Sequence, residues 1–162
     1  MKKVFILEWN PAISAYSMNN FNANLAKIDA EWINWDVWDW KEAHEGDLFY
    51  LIKCGGKGAN GIVMQGHFVS DPYPGAHWSG KMRLTYYVDM EPEYMIHPLR
   101  CEILTTEVLN EAMPDFQWKG GHSGRILPFD YALKLEDMWT TYIESHKALF
   151  DGEKASSLEN IG

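Results

Sequence analysis

The apolar positions of this chain fall into short runs broken by polar, glycine or proline residues, and the spacing within each run sets the element it predicts. Residues 2–10, KKVFILEWN, are a β-rich apolar run stopped by Asn10-Pro11 and read as a strand. In SMNNFNANLAKIDA, Phe21, Leu25 and Ile28 recur at helical spacing, and Ser17 or Asn19 is suited to cap a short helix. EWINWDVWDW sets Trp32, Trp35 and Trp38 three apart but Trp38 and Trp40 two apart, which predicts a strand or an irregular segment. KEAHEGD predicts a single helical turn ended by Gly46. DLFYLIKC and GIVMQGHFVS are apolar runs joined by GGKGANG, so they predict a hairpin. Gly66, inside the second run, predicts a bulge or the close approach of another group. DPYPGAHWSG, with two prolines and two glycines, reads as a loop, and KMRLTYYVDM as a strand. LRCEILTTEVLNEAMP reads as a strand followed by a short helix. A last helix is predicted from about Phe129 to about Leu149, before a polar tail.

This order gives several strands with three or four short helices and an α+β fold built on an antiparallel or mixed, barrel-like sheet. There is no βαβ rhythm, no internal repeat and no linker. One domain is expected over residues 1–149, with a disordered tail over 150–162. GGKGANG is not a phosphate loop, because it lacks the Walker spacing and lies between two strands rather than before a helix.

Composition changes the picture in two places. Eight tryptophans in 162 residues is a large number of indoles, and each needs either a core or a ligand to cover it. The formal charge of -9 argues against a protein that grips long stretches of phosphate backbone. It leaves room for a pocket that takes one base or nucleotide, since a local field can oppose the global charge. Lys119, His122 and Arg125 form a small basic cluster of that kind. The two cysteines, Cys54 and Cys101, are too few for a disulfide framework and are expected as reduced thiols within strands. The N-terminal apolar run is too short for a signal peptide and nothing reaches transmembrane length, so a cytoplasmic protein with no membrane contact is expected.

The candidate chemistry favours binding over catalysis. Ser123 follows His122, but adjacency in sequence does not bring the two side chains together, and Arg125 stands where a nucleophile elbow would need its final glycine. His67 and His77 are ten apart with Asp71 between, and no HExxH or CxxC pair exists. No catalytic residue, metal or cofactor is therefore assigned. A flat ring, by contrast, is held by stacking on aromatic faces while polar groups read its edge. The candidates for walls are Trp32, Trp35, Tyr73, Trp78 and Trp118. Trp38, Trp40 and Trp139 read better as scaffold, since they lie in a dense aromatic run or on an amphipathic helix.

These segments together resemble a known pattern. WINWDV leads to GDLFYLIK, and a glycine turn precedes GIVMQGHFVSDPYPGAHW and RLTYYVDM. FQWKGGHSGRILP and a helix bearing LEDMW follow. From about Val4 to about Trp139 the chain resembles the PUA-like superfamily and, within it, the EVE domain and its relatives. The resemblance implies a mixed β pseudo-barrel with short flanking helices and an aromatic-lined pocket. EVE domains and the related YTH domains are regarded as readers of modified bases in DNA or RNA. Carried onto this chain, Ser70, Asp71, Tyr73 and Trp78 would form one pocket wall. Trp118, Ser123 and Gly124 would form another, and Trp32 and Trp35 would add a stacking face. The expected function is a non-catalytic module that reads a modified nucleobase or nucleotide. A separately encoded nuclease or other effector is the partner expected beside it. A small PUA-like hydrolase acting on a nucleoside-like amide and a protein-interaction subunit are the alternatives. The G-x-K-x-x-E-x-R signature of the hydrolytic ASCH branch is not found here.

Overall fold

Six strands run side by side in a computed structural model that describes residues 2–77 and 84–150, together with a two-residue strand at Ala155–Ser156. β1 (Val4–Trp9), β3 (Leu48–Lys53) and β4 (Gly61–Phe68) are the most apolar, and they form the centre of the sheet. β2 (Ile33–Asp36) and β6 (Leu84–Met95) flank them on one side and β7 (Arg125–Ile126) on the other. The order is β2-β6-β4-β3-β1-β7, with β5 (Tyr73–Ala76) and β8 (Ala155–Ser156) also paired to β6. β1 pairs with β3 in parallel, whereas β3–β4, β4–β6, β2–β6 and β1–β7 are antiparallel, so the sheet is mixed. Its core is continuous across Phe5, Leu7, Phe49, Leu51, Val63 and Phe68, all fully buried.

The two ends of this sheet meet. Just beyond β2, the Trp38 and Asp39 amides donate to the carbonyls of Ser123 and Gly124, each at 3.0 Å, immediately before β7. The Asp39 carboxylate then accepts from the Ile126 amide at 2.8 Å. These bonds pair edge groups that would otherwise be left open, and they bend the sheet into a curled, barrel-like wall. The seam requires Gly124. Its φ is +86°, and a Cβ there would fall 2.5 Å from Val37 Cα.

The hairpin of β3 and β4 forms as expected. The expected irregularity at Gly66 is a shift of register against β6, at a point where a Cβ would lie 2.1 Å from the Glu91 carbonyl oxygen. Four local readings are corrected. Tyr73–Ala76 lies within the segment read as a loop, yet it is a strand that adds to β6. Pro74 is tolerated there because, among the described residues, β5 pairs with β6 alone and its other side has no ladder partner. The stretch after Leu99 forms no strand before α2 (Thr106–Ala112), only an isolated bridge between Gly61 and Thr105. The turn near Gly46 is reached through a short 3-10 turn at Trp40–Glu42. Cys54 and Cys101 lie outside strands: Cys54 follows β3 and Cys101 follows a turn. Most of the expected polar tail lies outside the described residues.

α1 (Met18–Ala26) covers one end of the wall with Phe21 and Leu25. Its start is Ser17, whose hydroxyl accepts from the Asn20 amide at 3.1 Å while the Asn20 side chain accepts from the Ser17 amide at 2.9 Å. Ser17→Ala leaves the Asn20 amide of the first turn without its hydroxyl partner. It is expected to cost about 1 kcal/mol of stability, read by urea denaturation. α3 (Phe129–Ser145) packs Leu135, Trp139 and Tyr142 inward.

Candidate ligand cavity

A cavity of about 880 Å³ opens where the β2 end of the sheet, the segment between β1 and α1, the β3–β4 turn and the loop before β7 converge. Such a volume lies in the range of small-molecule sites. One wall is aromatic. Trp35 lines it from β2 and meets Tyr16 edge to face, with ring centres 5.8 Å apart. Tyr16 is set in turn by Trp9, whose indole N–H donates to the Tyr16 carbonyl at 2.7 Å. Trp32, 69 % exposed, stands at the mouth. Around these rings lie the amides of Asn10, Asn20, Asn34 and Asn60.

The opposite wall is polar. Residues 119–123 contribute Lys119, Gly120, Gly121, His122 and Ser123. The Ser123 hydroxyl accepts from the Glu8 amide at 2.8 Å, which ties this loop to β1. Glu8 also lines the cavity. Its carboxylate pairs with Arg125 Nη2 at 3.3 Å, yet burial outweighs that partner and pushes its pKa up to about 7. Cys54 lies nearby, and burial raises its thiol too, which disfavours the reactive thiolate. Next to Cys54, the buried Lys53 ammonium donates to the carbonyls of Gly58 and Ala59 and to Asn60 Oδ1, at 3.1–3.4 Å. It thereby shapes the turn that borders the cavity.

Among the expected site residues, the structure brings Trp32, Trp35 and Ser123 to this cavity. Ser70, Asp71 and Tyr73 are not among the residues that line it. The Ser70 hydroxyl accepts from the Asp89 amide. Tyr73 donates to Asp89 and accepts from Asn34, so it braces a lining amide. Asp71 accepts from the Glu45 amide. Gly124 serves the seam. Trp78 lies outside the described residues, one position beyond His77, which lines the cavity. Trp118 is not brought to this wall. It is 2 % exposed, packs on Phe116 at 4.8 Å and donates its indole N–H to the Met113 carbonyl at 2.9 Å. Beside it is a separate depression of about 430 Å³. Its neighbours in the fold cover it, so the glycine-rich sequence after it was no guide to its exposure.

Trp38, expected as scaffold, is 55 % exposed and lies flat on the His122 ring, 3.5 Å away and 2° from parallel. Tyr16 and Glu8 escaped the sequence reading. For Glu8 the signal was present, as the one charged residue inside the apolar run VFILEW. Among the described residues, no group of three or more His, Cys, Asp or Glu is placed to hold a metal ion, and no helix is long and apolar enough to cross a membrane.

The class this geometry defines is a mixed α+β protein with a curled sheet and a partly aromatic cavity. Comparison with solved structures carries the same fold further. The chain is similar to the crystal structure of the MmI1 YTH domain, with 12 % identity and a TM-score of 0.50, over 89 % of this chain and 99 % of that one. It is also similar to the NMR structure of Rpa0253 from Rhodopseudomonas palustris, with 17 % identity and a TM-score of 0.41, over 69 % and 72 % of the two chains. No protein-family model and no curated protein matches the sequence.

Proposed function

We propose that this chain is a PUA-like module of the EVE type that reads a modified base or nucleotide of DNA or RNA in the cavity described above, without catalysing a reaction. The observation that carries this reading is the composition of the cavity. Indole and phenol faces from Trp32, Trp35 and Tyr16 stand among amide and hydroxyl groups, which suits a flat ring with a polar edge. The fold shared with a YTH domain supports it. The net charge of -9 fits recognition of a single extruded or unpaired base rather than a long duplex footprint. Trp78 is the proposed further wall, and a separately encoded nuclease or other effector is the proposed partner.

Trp32→Ala tests the reading with least risk to the core, because this indole is mostly exposed. Short single- and double-stranded oligonucleotides carrying cytosine, methylcytosine, hydroxymethylcytosine or methyladenine are titrated against intrinsic fluorescence. Wild type is expected to saturate with one modified base. Trp32→Ala is expected to bind it roughly 5- to 150-fold more weakly, the equivalent of about 1–3 kcal/mol per stacked base, with an unchanged melting temperature. Absence of binding to every oligonucleotide at near-millimolar concentration sinks the proposal.

One observation favours a second reading, a small hydrolase acting on a nucleoside-like amide. Glu8, with its pKa pushed up to about 7, is poised as a general base inside the same cavity. Release of the carboxylic acid and the free amino nucleoside from N-acylated nucleosides, lost in Glu8→Gln, decides for it.

A further inference from the structure

Glu8 is a carboxyl the fold does not need. Its side chain is 8 % exposed, on a strand whose other residues are buried and apolar. An apolar side chain there would avoid the cost of burying a charge. Arg125 does not depend on it either. The Arg125 Nε donates to the His122 carbonyl at 2.8 Å, and Nη2 donates to the Gln117 carbonyl at 2.6 Å. A second observation lies beside it: Thr106, one of the residues lining the cavity, buries a hydroxyl that has no hydrogen-bond partner among the described residues.

We propose that Glu8 determines ligand specificity by pairing, as a neutral carboxyl, with a ring-nitrogen acceptor beside an exocyclic amine, the edge that adenine and cytosine present. This rests on the base-reading function proposed above and names the edge that is read. Arg125 Nη2 donates to Oε2, and the Gly120 backbone amide donates to the same carboxyl. The Arg125 donor favours an oxygen lone pair, so in the neutral group the proton belongs on the other oxygen, Oε1. That O–H donates to the ring nitrogen, while a remaining lone pair accepts from the amine. An ionised Glu8 offers acceptors only. It faces the ring-nitrogen lone pair with like polarity and suits a guanine edge, with its two neighbouring N–H donors.

The balance between the two forms is set near neutrality, since burial holds Glu8 at about 7. Facing it are Arg125 from β7 and Cys54 just after β3, with Lys53 beyond. Lys119 and His122 line the cavity from the loop before β7, and Glu31, Asp36 and His77 from its other walls.

The test uses the full chain, with adenosine, cytidine, guanosine and their base-methylated forms as probes, followed by fluorescence at pH 6 and pH 8. Wild type is expected to bind the adenosine or cytidine class about tenfold more tightly at pH 6, which is the ratio of neutral fractions for a group titrating near 7. Glutamine carries one donor and one acceptor at any pH. Glu8→Gln is therefore expected to bind the same probe at pH 8 as wild type does at pH 6, and to lose the pH dependence. Equal pH dependence in wild type and Glu8→Gln overturns the role of Glu8, as does a preference for guanosine at pH 6. In either case binding that is still weakened by Trp32→Ala leaves the base-reading function standing. No binding of any probe, together with no binding of the modified oligonucleotides, overturns both.

Discussion

Gly124→Ala is expected to lower the unfolding free energy by about 3–5 kcal/mol. Two costs combine. The residue sits at φ +86°, where an L side chain is strained, and the new Cβ would lie 2.5 Å from Val37 Cα and 2.8 Å from the Trp38 amide nitrogen. Those neighbours are backbone, and backbone cannot step aside as a side chain does. The displaced atoms are the ones that join β2 to β7 through the bonds from Trp38 and Asp39 to Ser123 and Gly124. Gly120→Ala separates the two costs. Its φ is +72°, but the nearest atom to an added Cβ is the end of Gln117 at 3.5 Å, so only the conformational part remains, about 1 kcal/mol. Chemical denaturation gives both values, and hydrogen exchange at the Trp38 and Asp39 amides reports the seam itself. Equal losses for the two variants would mean that the seam is not closed as described.

Stability is expected to fall as pH rises from about 5 to 8, and Glu8→Gln is expected to remove most of that slope. The unfolded glutamate titrates near 4.5, while burial holds the folded one at about 7 despite Arg125. Between these values the folded state binds more protons than the unfolded state, so raising the pH favours unfolding. The cost is absent below about pH 4.5 and complete above about pH 7. At its full extent it amounts to about 3 kcal/mol. Urea denaturation of both proteins at pH 5 and pH 8 measures it. A wild-type stability that instead rises over this interval by the same amount would place the Arg125 attraction above desolvation.

Much of the architecture was legible along the chain because it depends on near neighbours. The apolar runs at Val4–Trp9, Leu48–Lys53 and Gly61–Phe68 are buried strands because their β-branched, aromatic and aliphatic residues leave no polar face. Ser17 caps α1 through a partner three residues away. Gly66 marks a place where another strand comes too close for a side chain, and an isolated glycine in an apolar run signals that. In the candidate site, Trp32, Trp35 and Ser123 were legible as aromatic and hydroxyl groups next to turns.

The tertiary structure decided the rest. Whether an indole is wall or core is a property of the elements packed on it, so Trp118 in a glycine-rich loop is buried while Trp38 in a dense aromatic run is exposed. The parallel pairing of β1 with β3 and the seam between residues 38–39 and 123–124 join segments far apart in the chain, and no local spacing encodes them. Glu8 shows the same division most sharply. The sequence by itself determined that a carboxylate interrupts an apolar strand. Only the folded chain decided that this carboxylate faces a cavity, meets Arg125 from 117 residues away and is desolvated enough to titrate near neutrality. Desolvation depends on the sum of surrounding atoms, and that sum exists only once distant segments have closed around the group.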